Sequence, residues 1–367
     1  MKKIIMVLLA VSLFLVSACH KKETAPQPAA APMPQLRLAA DEGPNTNARA
    51  AVAISRLLSL HFDGLDTSTL STAGSLASLD LMKQGKADLA IVQQDVAEAV
   101  FSGKALYEGK PYQDFRELCY LGSRTLYFLV PRLSTLSDIR ELKDCKVAVG
   151  APGSGMEVTV RALLRAAHMK RQDMVFQYLS DQEALSAVAS GRVDAALVMG
   201  GLPDKEINEA LAGGALRLIP LEGAAFEELA ERTGLYLPTT IKLGTYPYME
   251  GPVSTLSVPV LLVGTSSLPK ERTLALRSLL QNGVGEIKKS DVSLLSFPNQ
   301  TLFTPSGIPF PESWESSEKK NPGEIFSIKR RMADFLRQSV ANLGATSYNE
   351  ILGIRGRMVH ILPLFLT

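Results

Sequence analysis

Residues 82–97, MKQGKADLAIVQQDVA, and residues 188–203, VASGRVDAALVMGGLP, follow one order: the end of a helical pattern, a glycine, a base, one further residue, an aspartate, then a short apolar run. Gly85 and Gly191 stand where helices end in a left-handed residue, a conformation that glycine adopts without a Cβ clash. The runs 89–92 and 195–198 do not alternate and are too short for helices. They read as strands covered on both faces. One copy in each half implies two α/β lobes of related construction.

The flanking segments fit the same scheme. Runs at 36–39, 68–72, 146–149 and 175–178 read as strands, and each leads into a helical pattern. Such alternation gives a largely parallel sheet between helical layers. LYFLVP at 126–131 and LSVPVLLVG at 256–264 are candidates for strands crossing between the lobes. Ligands of open parallel sheets sit beyond the carboxyl ends of the strands. The loops in that position are 41–47, 74–78, 93–95, 153–156 and 199–201, drawn from both halves. Together they describe a polar cleft between hinge-linked lobes.

One of these loops opens GAPGSGMEVTVRALLRAAHM, residues 150–169. Gly150 and Gly155 have the spacing of a phosphate loop, but Met156 and Glu157 stand where Lys and Ser/Thr are required. Gly153 and Gly155 begin a dinucleotide fingerprint that fails at Val158. Two readings remain open. Ser154 and Glu157 form S-x-x-E, the pattern of a capping box. The glycines around that serine also let a ligand approach the free amides of a helix N-terminus.

The chain has 367 residues, 46% hydrophobic and 21% charged, enough for two sizeable cores. Lys2 and Lys3 precede an apolar run at 4–16, the shape of a signal peptide. That run ends in LVSAC, residues 15–19, which resembles a bacterial lipobox. By that resemblance, residues 1–18 are removed and Cys19 carries a lipid. Residues 19–35 are rich in Pro and Ala and read as a tether. Without Lys2 and Lys3 the basic count falls from 39 to 37, equal to the acidic count. That balance gives no reason to expect a nucleic-acid partner. Cys119 and Cys145 are expected as free thiols. The four histidines have no metal-site spacing. No metal, no cofactor and no catalytic residue is expected, and no G-x-S-x-G elbow occurs.

Five segments carry a family resemblance: GKADLAIVQQDVAEAVFSG, LKDCKVAVGAPGSGMEVTVRALLRAA, GRVDAALVMGGLP, LRLIPLEG and YLPTTIKLGTYPYMEGPVSTLSVPVLLVGTSSLP. In this order they resemble the TAXI group of solute-binding proteins, which serve TRAP transporters. The match runs over roughly residues 70–275. The resemblance implies an α/β, periplasmic-binding-protein-like fold, two lobes closing on a small organic carboxylate or amino acid. TRAP transporter membrane subunits would be its partners, and no enzyme activity is expected.

Carried onto this sequence, the resemblance makes Ser75, Gln93, Asp95, Gly153, Ser154, Gly155, Met156 and Tyr246 ligand-binding candidates. The amides around 154–156 would receive a carboxylate, Gln93 and Asp95 a polar or ammonium end, and Tyr246 would donate its phenol. Asp95 stands equally as a cap for the helix that begins VAEAVF, and Tyr246 as packing in a Pro-rich loop.

The implied layout is lobe 1 at 36–127, lobe 2 at 128–250, a return to lobe 1 at 251–300, and an extension at 301–367. A hinge is expected near 127–131 and 247–255. The resemblance also implies a monomer in the periplasm or cell envelope, tied to the membrane by its lipid. Three features depart from the family. Asp41 and Glu42 acidify one side of the cleft, Met156 replaces a common threonine, and the ending differs. An envelope lipoprotein with a sensory or structural role and a diverged pocket is the alternative.

Overall fold

The computed structural model describes residues 35–43, 45–62, 65–104, 109–290 and 302–314. Cys19, the signal peptide, nearly all of the tether and residues 315–367 of the extension lie outside the described residues. Among the described residues, no helix is long and apolar enough to cross a membrane.

Lobe 1 begins with β1 (Gln35–Asp41), α1 (Thr46–His61), β2 (Asp66–Thr72), α2 (Ser75–Lys83), β3 (Leu89–Gln93) and α3 (Gln94–Ser102). β1 lies between β2 and β3, parallel to both. The paired segments of the sequence do the same work in each lobe. Gly85 and Gly191 take φ of 67° and 71° just past the ends of their helices. The amides that follow, Lys86 and Arg192, return to Leu81 and Ala187. Asp88 then accepts the Arg37 amide at 2.8 Å, and Asp194 accepts the Lys146 amide at 2.7 Å. Each aspartate thereby ties the start of its own strand to the parallel neighbour.

β4 (Phe115–Pro131) leaves lobe 1, and lobe 2 follows. It contains β5 (Lys146–Ala148), α4 (Met156–Ala166), β6 (Val175–Gln177), α5 (Asp181–Ala189) and β7 (Ala195–Gly200). Next come α6 (Lys205–Ala212), β8 (Leu216–Ile219), α7 (Ala224–Thr233) and β9 (Leu237–Ile241). β10 (Val253–Thr265) returns to lobe 1, where α8 (Lys270–Ser290) packs on α1. Among the described residues the ten strands belong to one sheet, in the order β2-β1-β3-β10-β4-β7-β5-β6, with β8 on β4 and β9 on β10.

β4 and β10 cross between the lobes as an antiparallel pair. β3 flanks β10 from Val260 onward, while β7 flanks β4 from Thr125 onward. Between those limits the sheet is two strands wide, at residues 123–124 and 258–259. Gly122 (φ 114°) and a register shift after Val260 border this waist. Residues 127–131 do not form it. They pair with β7 and β8 inside lobe 2, because their apolar side chains supply its core.

Each lobe is a three-layer sandwich with apolar packing on both faces of the sheet. In lobe 1, α1 and α8 cover one face and α2 and α3 the other. In lobe 2, α4 and α7 cover one face and α5 and α6 the other. Every residue of β3 and β7 is buried, which is why their sequences are apolar without alternation. Cys119 lies in the lobe 1 core and Cys145 against that of lobe 2, both as free thiols.

Part of the extension, residues 302–314, straps lobe 1. The Glu117 and Tyr120 amides donate to Pro309 and Leu302, and Trp314 stacks on Phe310 at 5.6 Å. Glu117 is fully buried beneath the strap, accepts the Ser306 amide at 3.0 Å, and is pushed up to about 7 by burial.

Candidate functional site

The carboxyl ends of β1, β2, β3, β5 and β7 converge on a cavity of ≈ 570 Å³ between the lobes. Asp41, Thr72, Gly74 and Gln93 reach it from lobe 1; Ser154, Gly155, Met156 and Met199 reach it from lobe 2. The starts of α5 and α6 add Asp181 and Asp204–Glu206, which the sequence reading did not include.

The waist adds Arg124, also missed. Its side chain is 6% exposed and its Nη1 donates to Asp41 Oδ2 at 2.9 Å. Nη2 donates to Asp181 Oδ2 at 3.2 Å and to the Met199 carbonyl. Asp41 comes from lobe 1 and Asp181 from lobe 2, so one guanidinium joins both. Burial pushes the Asp41 carboxyl above its ordinary range, while Arg124 and the Asn47 amide group oppose that rise. Arg124 Nε and Asp41 Oδ1 are buried without a hydrogen-bond partner among the described residues. The signal was present in the sequence: an arginine inside ELCYLGSRTLYFLVP, a strand otherwise largely apolar. A buried charge there demands carboxylate partners.

A second junction closes the lobes beside the cavity. Asp95, at the first turn of α3, accepts the Val96 amide at 2.8 Å on Oδ1. Its Oδ2 accepts Thr159 at 2.6 Å and Tyr236 at 3.0 Å, both from lobe 2. Burial pushes this carboxyl up to about 6, against the pull of those donors. Gln93 Nε2 donates to Thr159 Oγ1 at 3.3 Å and contacts Met199 Sδ. Ser75 Oγ accepts the Gln93 amide at 3.0 Å, and the Gly153 carbonyl accepts the Ala77 amide at 3.2 Å. Gly74 (φ 137°) completes the contact: a Cβ there would lie 2.8 Å from Ser154 Cα, so only glycine fits.

The structure therefore divides the eight candidates. Gln93, Ser154, Gly155 and Met156 line the cavity. Ser75, Asp95, Gly153 and Tyr246 lie outside its lining. Tyr246 is 3% exposed, its hydroxyl 2.7 Å from that of Tyr127 and accepting the Asp204 amide at 2.8 Å. Those bonds occupy the phenol, which fastens the turn before α6. Asp95 is likewise engaged, in joining the lobes.

The capping box at Ser154 does not form. α4 starts at Met156 with Gly155 as its N-cap, so the serine stands one residue too early. Ser154 Oγ is buried without a partner, and Glu157 pairs with Arg161 at 2.9 Å instead. Gln93 Oε1 lies against Gly155, 2.0 Å from where a Cβ would stand, so any side chain there displaces it. Among the described residues, no group of His, Cys, Asp and Glu is arranged to hold a metal.

The NMT1-like family model matches residues 49–288, and the chain belongs to this family. Several solved structures are similar at low identity. The alkanesulfonate-binding protein SsuA from Xanthomonas axonopodis pv. citri, bound to MOPS, is 18% identical over 82% of this chain and 95% of its own, with a TM-score of 0.44. A protein of Bordetella bronchiseptica RB50 is 20% identical over 71% and 77%, with a TM-score of 0.46. A TctC solute binding protein from Polaromonas is 15% identical over 72% and 87%, with a TM-score of 0.41.

Proposed function

We propose that this member of the NMT1-like family is a solute-binding protein of the TAXI kind, held to a membrane by a lipid on Cys19. It captures a small carboxylate or amino acid outside the cytoplasm and hands it to the membrane subunits of a TRAP transporter. The carrying observation is the cavity itself. It lies between two lobes joined by a two-strand waist, and Arg124 at that waist is held by one carboxylate from each lobe. A solute that changes the Arg124 contacts changes the relation of the lobes, which is what delivery to a transporter requires. The waist at 123–124 and 258–259 is the proposed hinge. The LVSAC segment supports the anchor, and the Gly-Ser-Gly-x-Glu and Gly-Thr-Tyr-Pro segments support the TAXI assignment.

The acidic side chains around the cavity favour one rival, an envelope lipoprotein whose pocket has left transport. Native mass spectrometry of the full chain in detergent separates the two. A retained metabolite of defined mass, together with compaction in small-angle scattering when that metabolite is added, is the expected result. A chain that retains no metabolite and keeps its dimensions across a metabolite panel overturns the solute-binding reading. Cys19→Ser is expected to leave the membrane fraction, and retention at the wild-type level overturns the anchor.

A further inference from the structure

We propose that the cavity takes a zwitterion, an amino acid with a neutral or basic side chain, and excludes dicarboxylates. This rests on the solute-binding reading above. Arg124 is 5% exposed, yet Nε has no acceptor. Asp41, bonded to the same guanidinium, keeps Oδ1 without a donor. One buried ion cluster at the cavity wall therefore holds an unfilled donor and an unfilled acceptor. A carboxylate alone satisfies the first and an ammonium alone the second; a zwitterion satisfies both. Ser154 Oγ, also buried without a partner on the facing loop, can serve either end.

Charge decides between classes of zwitterion. Asp41, Glu42, Asp181, Asp204, Glu206 and Glu209 line the cavity, against Arg124 and Lys205. Lys205 already lies 3.7 Å from Glu209. A second ligand carboxylate enters an acidic field with no free cation among the lining residues, whereas a neutral or basic side chain meets no such repulsion.

Entry follows from the weaker arm of the cluster. Asp181 holds Arg124 at 3.2 Å and is 42% exposed, while Asp41 holds it at 2.9 Å and is 12% exposed. The incoming carboxylate takes the place of Asp181 on the guanidinium, and the ammonium is received between Asp41 Oδ1 and the released Asp181. The cluster sets one cation against two carboxylates, and a zwitterion, which has no net charge, leaves that balance unchanged. A dianion would add two negative charges to a cluster that is already net negative. Because Asp181 belongs to lobe 2 and Asp41 to lobe 1, the bound zwitterion spans both lobes.

The test is calorimetry on the full chain in detergent, cleared of bound metabolites. The probes are the protein amino acids, agmatine, 4-methyl-2-oxopentanoate, glutamate and 2-oxoglutarate. A neutral or basic amino acid is expected to bind, with its analogue lacking either the carboxylate or the ammonium weaker by about tenfold or more. Glutamate and 2-oxoglutarate are expected to be weaker still. A dicarboxylate or 2-oxo acid that binds as tightly as the best amino acid overturns the zwitterion and leaves the solute-binding reading standing. No binding by any probe, with no metabolite retained in native mass spectrometry, overturns both. Asp181→Asn, at a partly exposed position, is expected to melt within a degree or so of wild type without ligand. It should lose about tenfold in amino-acid affinity. Wild-type affinity in that variant overturns the exchange.

Discussion

Two junctions join the lobes, and they are built from different chemistry. Around Asp95 the carboxylate receives one amide and two hydroxyls, and Oδ1 and Oδ2 both have partners. Around Arg124 the contacts are ionic, Asp181 is partly exposed, and Nε of the arginine and Oδ1 of Asp41 lack partners. Asp95, Thr159 and Tyr236 lie outside the cavity lining, while Arg124, Asp41 and Asp181 form part of it. A saturated junction has nothing left to offer a ligand. An unsaturated, charged one at a cavity wall gains from a visitor. On the proposed function, the ligand acts at the charged junction, and the saturated one holds the lobes together beside it.

The largest expected effect breaks the charged junction. Arg124→Met leaves Asp41 buried without its counter-ion and should cost about 3–5 kcal/mol in urea unfolding. A loss below about 1 kcal/mol would show that Asp41 reaches water, and the contrast between the junctions would fail.

Asp95→Ala should cost somewhat less, about 2–3 kcal/mol, because it strands the Tyr236 hydroxyl and leaves Thr159 only its longer bond to the Gly155 carbonyl, without adding a lone charge. Ligand affinity, measured below the melting range, should stay within about threefold of wild type. A larger loss of affinity would mean that the saturated junction also takes part in recognition.

Titration sharpens the comparison further. Folding raises the Asp95 carboxyl from its ordinary 3.8 to about 6. The folded chain therefore holds that proton more tightly than the unfolded chain does. The contribution is fully present below about pH 4 and is lost as pH rises through about 6. Between pH 7 and pH 5 the wild type should gain about 1 kcal/mol from this group, a share that Asp95→Asn removes. Glu117, raised to about 7 under the strap, adds a response of the same sign that the substitution leaves intact. Identical pH profiles for wild type and Asp95→Asn would refute the assignment.

The smallest effect is at Ser154. Its hydroxyl makes no cap, so Ser154→Ala should change stability by less than about 0.5 kcal/mol while weakening ligand binding. A loss of about 1 kcal/mol in the ligand-free chain would restore the capping box.

The repeated glycine–base–x–aspartate order was enough to place β3 and β7 and the helices before them. The left-handed turn, the aspartate and the apolar run all act within a few residues of one another. The crossing strands were legible for a related reason, since their buried stretches at 126–131 and 256–264 are largely apolar, although the crossing point at 123–124 lies just before the first of them. The site was legible only in part. Gln93, Ser154, Gly155 and Met156 line the cavity from their place at strand ends, while Asp95 and Tyr246, each open to a ligand or a structural reading, have their side-chain oxygens bonded within the protein. The S-x-x-E pattern misled because helix α4 began one residue later than the cap requires.

By itself the sequence determined the α/β class, the related construction of the two lobes and the strand ends that meet at the cleft. Those properties depend on periodicity, turn stereochemistry and caps, which are local. Only the tertiary structure decided that Arg124 sits at the waist between Asp41 and Asp181, and that Asp95 joins the lobes. Arg124 lies 83 positions from the first of its carboxylates and 57 from the second. Burial and charge pairing across such distances depend on how the chain closes, and no local pattern records it.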